Sequence, residues 1–365
     1  MTAIRVLLAS TTALIGLLLT IPVAAIWLLF WAVASLTKFG SRLFEPYMVT
    51  SDQLVEFTPT IGWKPKANLD AYYLTMVRDG VFHTITDAQG WPDRTKISDS
   101  HVVVFGDSYA FGYGVDSKTT FWRCKTGIII KAIGAPGYNM VQEVLLMRQL
   151  SYQLKGKLLI WFIYFGNDLY DNLSPNNQCY RTPFLRKNLS QEWEITTRHV
   201  SPLRWPNKAD PRYYDKLAEM CCATFLSERA YSACNFLITE AKTICQEAHA
   251  KLVLMTIPDV IQLTSAGHEK LAASASNPKS FDPNRPDDQI KAIAFSLGVP
   301  VVALKDYLTA SDYKERDPHW NQRGHQRVAE LVKKIWHQNR LDGNERVVKD
   351  RAAQALSMNP LSGVL

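Results

Sequence analysis

His101-Val102-Val103-Val104-Phe105-Gly106-Asp107-Ser108 is the stretch that decides the fold. Residues 102–105 are a short apolar, β-branched run without alternation, the pattern of a strand buried on both faces. The run stops at a Gly-Asp-Ser turn from which a helix can start. Runs of the same type recur at 127–133, 157–165, 252–257 and 299–304. Helical patterns fill the intervals. Asn139 with Gln142 makes a capping-box start for a helix to about Leu150, and 214–250, 287–297 and 323–338 also read as helices. Strand alternating with helix predicts an α/β domain with a central parallel sheet covered on both faces.

Upstream, residues 6–36 are almost unbroken apolar sequence, with Arg5 the sole charge before Lys38. About 20 apolar residues cross a bilayer, so an N-terminal transmembrane anchor is expected within 1–40. The rival is a cleaved signal peptide, but the apolar run continues through 26–31 past the small pair Ala24-Ala25. Arg5 on one side and Lys38 with Arg42 on the other leave orientation open. Residues 41–100, rich in aromatics, Thr, Pro and Gly, read as a β-rich lead-in of short strands and turns. The α/β domain spans 101–340. A polar, Pro-containing insertion at 174–212 is either a cover over a site or a solvated excursion. The segment 341–365 reads as a polar tail.

Across 365 residues, 47% hydrophobic and 21% charged content exclude a disordered chain. The formal net charge of +7 suits an anionic surface. The charges are scattered, with no basic block interleaved with aromatics, so no nucleic-acid partner is expected. None of the six cysteines forms a CxxC pair, which argues against a zinc ribbon or a thioredoxin-type site. Four of them, within 221–245, are expected as small buried hydrophobes. An even count permits disulfides without demanding them.

Ligands of an open parallel sheet bind at the carboxyl ends of its strands, and three such ends carry reactive residue types. Gly106-Asp107-Ser108 projects a hydroxyl from a strand-to-helix turn, with a backbone N–H ready for an oxyanion; taken alone it reads sooner as a turn with an N-capping Ser. Gly134-Ala135-Pro136-Gly137 offers backbone N–H groups without an obstructing side chain, or is a plain Gly/Pro turn. Gly166-Asn167-Asp168 offers an amide donor, or is an Asx-turn. A fourth block, Asp317-Pro318-His319-Trp320-Asn321, follows the last strand. A serine needs a base, which His319 can be, and Asp317 can hold the other ring N–H. His325 reads as a structural residue of the following helix.

Together and in this order, the blocks resemble the SGNH (GDSL-like) hydrolase superfamily, in a membrane-anchored bacterial-type branch. The resemblance covers about residues 102–336. Phe111-Gly112-Tyr113-Gly114-Val115, Gly137-Tyr138-Asn139 with Gln142-Glu143, and Asp171-Asn172 extend it. It implies a three-layer α/β/α, flavodoxin-like fold. It also implies Ser108 as nucleophile, His319 as base and Asp317 as its acid. Ser108, Gly137 and Asn167 would form the oxyanion hole, with no metal or cofactor. The commoner pattern has Asp three residues before His. Here Arg316 stands there and Asp317 lies two before, with Asn321 and Gly324 fitting a D-x-H-x-N-x-x-G variant and Glu315 as fallback acid.

The expected activity is hydrolysis of carboxylic esters through an acyl-enzyme, on an acylated envelope glycan or lipid. The catalytic domain is expected on the extracytoplasmic (periplasmic) side. Acyl transfer to a polysaccharide is the nearest alternative. A catalytically silent glycan-binding or scaffold protein is the alternative from another class. Nucleotide binding at 106–114 lacks a P-loop lysine and the GxGxxG spacing.

Overall fold

Leu158-Leu159-Ile160-Trp161-Phe162-Ile163-Tyr164 is buried along its whole length, because it is the middle strand of a sheet covered on both faces. In the computed structural model, which describes residues 26–29, 48–75, 79–177, 180–204 and 213–341, five parallel strands form this sheet. They are β1 (Val102–Gly106), β2 (Ile130–Gly134), β3 (Leu158–Tyr164), β4 (Lys251–Ile257) and β5 (Val301–Ala303). Their order is β2-β1-β3-β4-β5, the flavodoxin-like order. It reverses between β1 and β3, so the ligand crevice belongs at the carboxyl ends of those two strands.

Alternate residues of β3 enter two separate cores. Leu159, Trp161 and Ile163 pack with one set of helices, and Leu158, Ile160, Phe162 and Tyr164 with another. The first layer comprises α2 (Met140–Leu150), α5 (Phe225–Glu247) and α7 (Arg285–Ser296). The second contains α1 (Ser108–Phe111) and α8 (Gln322–Leu341). The short α3 (Asp168–Asp171), with α4 (Tyr213–Met220) and α6 (Ser265–Ala273), completes the helices used below. The capping box read at Asn139 is present, with Asn139 and Gln142 each bonding the other's backbone N–H at 3.1 Å.

Two sequence expectations need correction. The single helix expected over 214–250 is two, α4 and α5, broken at 221–224. Thr224 starts the second through a capping box whose N3 partner is Ser227, a weaker signal than Glu or Gln. The strands expected at 127–133 and 299–304 are shorter, because Gly127 and Gly298 turn the chain at φ +80° and +64°. The insertion at 174–212, read as a cover over a site or a solvated excursion, contains short antiparallel strands. Phe184–Lys187 pairs antiparallel with Trp193–Thr196, and Asn176–Asn177, Tyr180–Arg181 and Ser201–Arg204 make a small ribbon. Its residues 205–212 lie outside the described residues.

The lead-in contributes two hairpins, Val55–Thr58 with Gly62–Pro65 and Asp70–Leu74 with Val81–Ile85. Cys221, Cys222, Cys234 and Cys245 are buried free thiols, and Cys124 is free and half-buried. Burial pushes the Cys221 and Cys245 thiols up to about 12. The chain divides into Met1–Val49 and Thr50–Leu365. Of the expected anchor only residues 26–29 are described, as one helical turn with exposed side chains; the remainder lies outside the described residues. Among the described residues no helix is long and apolar enough to cross a membrane.

Trp161 joins both levels of the fold: its ring is fully buried, and its Nε1–H donates to Glu143 on α2 at 2.6 Å. Trp161→Ala is expected to cost about 3–5 kcal/mol, read as a lower urea midpoint with an unchanged slope.

Candidate active site

Ser108 sits where β1 runs out. Asp107 caps the short α1, its Oδ1 accepting the Tyr109 N–H at 2.9 Å. Gly112, left-handed at φ +80°, closes the helix by donating its N–H to the Ser108 carbonyl at 3.0 Å. A helix this short exists because both ends are tied. The result is a serine only 7% exposed, with its hydroxyl at the carboxyl end of the sheet.

His319 reaches that hydroxyl from a loop 211 residues downstream. Its Nε2 lies 2.7 Å from Ser108 Oγ. Asp317 Oδ1 accepts both the His319 backbone N–H at 3.0 Å and the ring Nδ1–H. A two-residue spacing permits this, because an Asp carboxylate readily bonds the backbone two residues on. Glu315 and Arg316 are exposed; the acid that meets the ring is Asp317.

The loop is fixed on several sides. Tyr109 OH donates to the Pro318 carbonyl at 2.5 Å. The Tyr109 and Tyr113 ring centroids stand 5.0 and 4.9 Å from that of His319. Asn321 bonds the Ser311 and Tyr313 carbonyls through Nδ2 and caps α8 through Oδ1, which accepts the Arg323 and Gly324 N–H groups. Gly324 must be glycine, since a Cβ there would lie 2.3 Å from the Asp312 carbonyl. The pattern at Asn321 and Gly324 is therefore architectural. Lys314 ties the loop to Gly114 O at 3.0 Å and to Asp79 at 2.6 Å.

The turn after β2 runs Ala135-Pro136-Gly137-Tyr138, closed by Tyr138 N–H donating to Ala135 O at 3.2 Å. Pro then Gly at its centre, with Gly137 at φ +76°, matches a type II turn. Gly134 instead lies within the ladder opposite Gly106. The lead-in hairpin grips this turn: Trp63 Nε1–H donates to Pro136 O at 3.2 Å, and Tyr138 OH to Trp63 O at 2.7 Å. Asn167 follows β3, and its Nδ2 donates to Tyr138 O at 2.9 Å. Ser108, Gly137 and Asn167 thus stand at the ends of β1, β2 and β3, flanking the reversal point.

The electrostatics favour a charged imidazole. Burial opposes charging of His319, but the Asp317 carboxylate outweighs it and raises the ring's pKa above its ordinary value. Burial would raise Asp317, yet the His319 charge and N–H groups hold it at about 2. Ionised Asp317 can only accept, so Nδ1 carries the proton and neutral His319 presents a bare Nε2 to the serine. When the ring is charged, Nε2–H donates instead, and Ser108 Oγ–H points at Asp107 Oδ2, 3.3 Å away. Behind the site, burial pushes the carboxyls of Glu143 and Asp168 well up and that of Asp107 up.

His325 lies in α8, buried, its Nδ1 accepting the Phe121 N–H at 3.3 Å with the two rings stacked. Burial holds its pKa down at about 3, so it is a structural neutral histidine. Sequence reasoning gave no role to Tyr109 or Lys314, quoted Tyr113 only within the block 111–115, and read the strands around Trp63 without their hold on the Gly137 turn. Tyr109 carried a signal of its own, as an aromatic directly after Ser108.

An NMR titration of the His319 ring is expected to have its midpoint above the ordinary value of about 6.5. Asp317→Asn removes the charge that stabilises the imidazolium, so the midpoint should fall. An unchanged midpoint in that variant would refute the pairing.

No known family's sequence profile matches the chain, and no curated protein matches it by sequence. Solved structures similar to it include a GDSL-like lipase from Bacteroides thetaiotaomicron, 13% identical with a TM-score of 0.35, covering 68% of this chain and 92% of that one. A carbohydrate acetylesterase from Sinorhizobium meliloti is 11% identical with a TM-score of 0.37, covering 64% of this chain and 96% of that one.

Proposed function

We propose that the protein is a serine ester hydrolase of the SGNH type. One observation carries this reading: Ser108 Oγ and His319 Nε2 are 2.7 Å apart while the far side of the ring bonds Asp317. That is the geometry of a nucleophile, its base and the base's orienter.

In the proposed reaction, Ser108 Oγ attacks the ester carbonyl carbon as its proton passes to His319 Nε2. The carbonyl π electrons move to oxygen, and the oxyanion accepts from the Ser108 and Gly137 N–H groups and the Asn167 amide. The Asn167 Nδ2 group has two N–H bonds; one goes to Tyr138 O and the amide also bonds the Asp107 carboxylate, a bond that the oxyanion would replace. Collapse of the intermediate breaks the C–O bond, and His319 returns its proton to the leaving alcohol oxygen. Water, deprotonated by the same nitrogen, then attacks the acyl-enzyme. The carboxylic acid leaves and Ser108 recovers its hydroxyl. A sugar hydroxyl replacing that water would make the chemistry acyl transfer.

The proposed substrate is an acylated glycan or lipid of a cell envelope. In this reading the apolar run 6–36 tethers the enzyme to the membrane, a tether that the length and hydrophobicity of the run support, and the catalytic domain lies on the extracytoplasmic side, where an envelope substrate would be.

Ser108→Ala should abolish hydrolysis of p-nitrophenyl acetate and labelling by a fluorophosphonate while the melting curve is retained; full activity would refute the assignment. Asn167→Ala should lower kcat by about 10²–10³. Because the base must first lose its proton, kcat/KM should rise with pH, half-maximal above about pH 6.5. Asp317→Asn should cut kcat by about 10⁴ and move that midpoint down.

A further inference from the structure

Asn167 opens α3, yet it does not cap it with its side chain. A helix-opening Asn ordinarily turns its side-chain oxygen onto the first N–H groups of the helix. Asn167, at φ −135° and ψ −41°, makes no such bond. Its Oδ1 is buried without a hydrogen-bond partner among the described residues, and its Nδ2 turns to Tyr138 O at 2.9 Å. A helix of one turn does not hold itself, so the aim of that amide is fixed from outside α3.

The hold comes from the insertion and from α4, which follows it. Tyr213, the first residue of α4, sets its hydroxyl against Gly166: a Cβ on Gly166 would lie 2.2 Å from Tyr213 Oη and 2.5 Å from the Tyr164 ring. The Tyr213 hydroxyl donates to Asp259 Oδ2 at 2.5 Å. It also meets the Tyr164 hydroxyl, which reaches the same oxygen at 2.6 Å. Asp259 is buried just past β4, and its Oδ1 accepts the Ile261 N–H at 3.0 Å, so this acceptor is itself anchored. Further along, Lys216 of α4 stands 3.7 Å from Asp171 Oδ1 and over the Tyr170 ring. Within the insertion, Leu185 N–H donates to Asn172 O at 2.8 Å. The segment 166–172 is thus gripped at its start, along its helix and at its end.

We infer that Tyr213 is a positioning residue for the proposed oxyanion hole: its hydroxyl, seated between Asp259 and Gly166, fixes the Gly166-Asn167 turn and with it the aim of the Asn167 amide. The inference rests on the hydrolase reading for the reaction that this amide serves. A donor aimed at charge that develops only in the transition state acts on kcat and leaves KM alone.

The full-length protein in detergent is assayed with p-nitrophenyl acetate. Tyr213→Phe, which removes one oxygen, is expected to lower kcat about tenfold or more with KM unchanged, since a misplacement of about 1 Å can cost about 10²-fold. In an Asn167→Ala background the same change should move kcat by less than about twofold, because the group it aims is gone. An equal loss in both backgrounds, a loss confined to KM, or no loss would each overturn the inference. Asp259→Asn, which weakens the acceptor of the same hydroxyl, takes the place of Tyr213→Phe in the cycle should that variant not fold. Hydrogen exchange needs no turnover: backbone amides of 164–171 should exchange faster in Tyr213→Phe than in the wild type, and unchanged exchange would overturn the hold. A wild-type chain that hydrolyses nothing while its exchange still responds would sink the hydrolase reading alone.

Discussion

The hydrogen bond between Ser108 and His319, on which the proposed reaction depends, joins two partners 211 residues apart. Closing a flexible loop of that length costs about 5 kcal/mol in chain entropy before any contact is made. No single bond between Ser108 and His319 could meet that. The cost is met by the sheet and its two cores, which bring β1 and the start of α8 together whatever the serine does. Packing around Trp320, fully buried against Phe162 and Tyr109, converts a distant loop into a fixed arm. The Ser108–His319 contact is thus a product of core formation rather than a contributor to it.

Charge is handled with the same economy. His319 is buried enough that an isolated imidazolium would be disfavoured. Asp317 reverses that preference, with Asp107 adding a second carboxylate nearby. Lys314 faces the other way, toward Asp79 and Gly114, and keeps this loop from carrying unbalanced negative charge. Glu143 and Asp168, both held toward their neutral forms by burial, add little negative charge beneath the ends of β1 and β3, where the proposed reaction would place an oxyanion.

The parts of this arrangement legible in sequence are those written in local residue types. A doubly buried strand is an apolar run without alternation, and it ends abruptly at a turn; that made 102–108 and 158–167 readable. The spacing of Asp317 and His319 was visible, but which acid meets the ring required the loop's path. The break before Phe225 was hidden because Ser227 is a weak capping partner and the apolar periodicity resumes at once. The hairpin holding the Gly137 turn was invisible for a different reason. It acts through backbone carbonyls, those of Ile61, Trp63 and Pro136, and a carbonyl has no letter in a sequence. The insertion's strands, two to four residues long, carry too little alternation to register.

The grip of Trp63 and Gln142 across the Gly137 turn has a consequence for inheritance. The four reactive blocks all lie after residue 100, so they could be passed between proteins as one piece of gene. The turn that carries Gly137 is nevertheless shaped by residues 61–63, outside that piece. A recombination joint near residue 100 would leave Gln142 without its carbonyl and Tyr138 without its acceptor. The physical unit that shapes the Gly137 turn therefore begins well upstream of Ser108, at the carbonyls of Ile61 and Trp63.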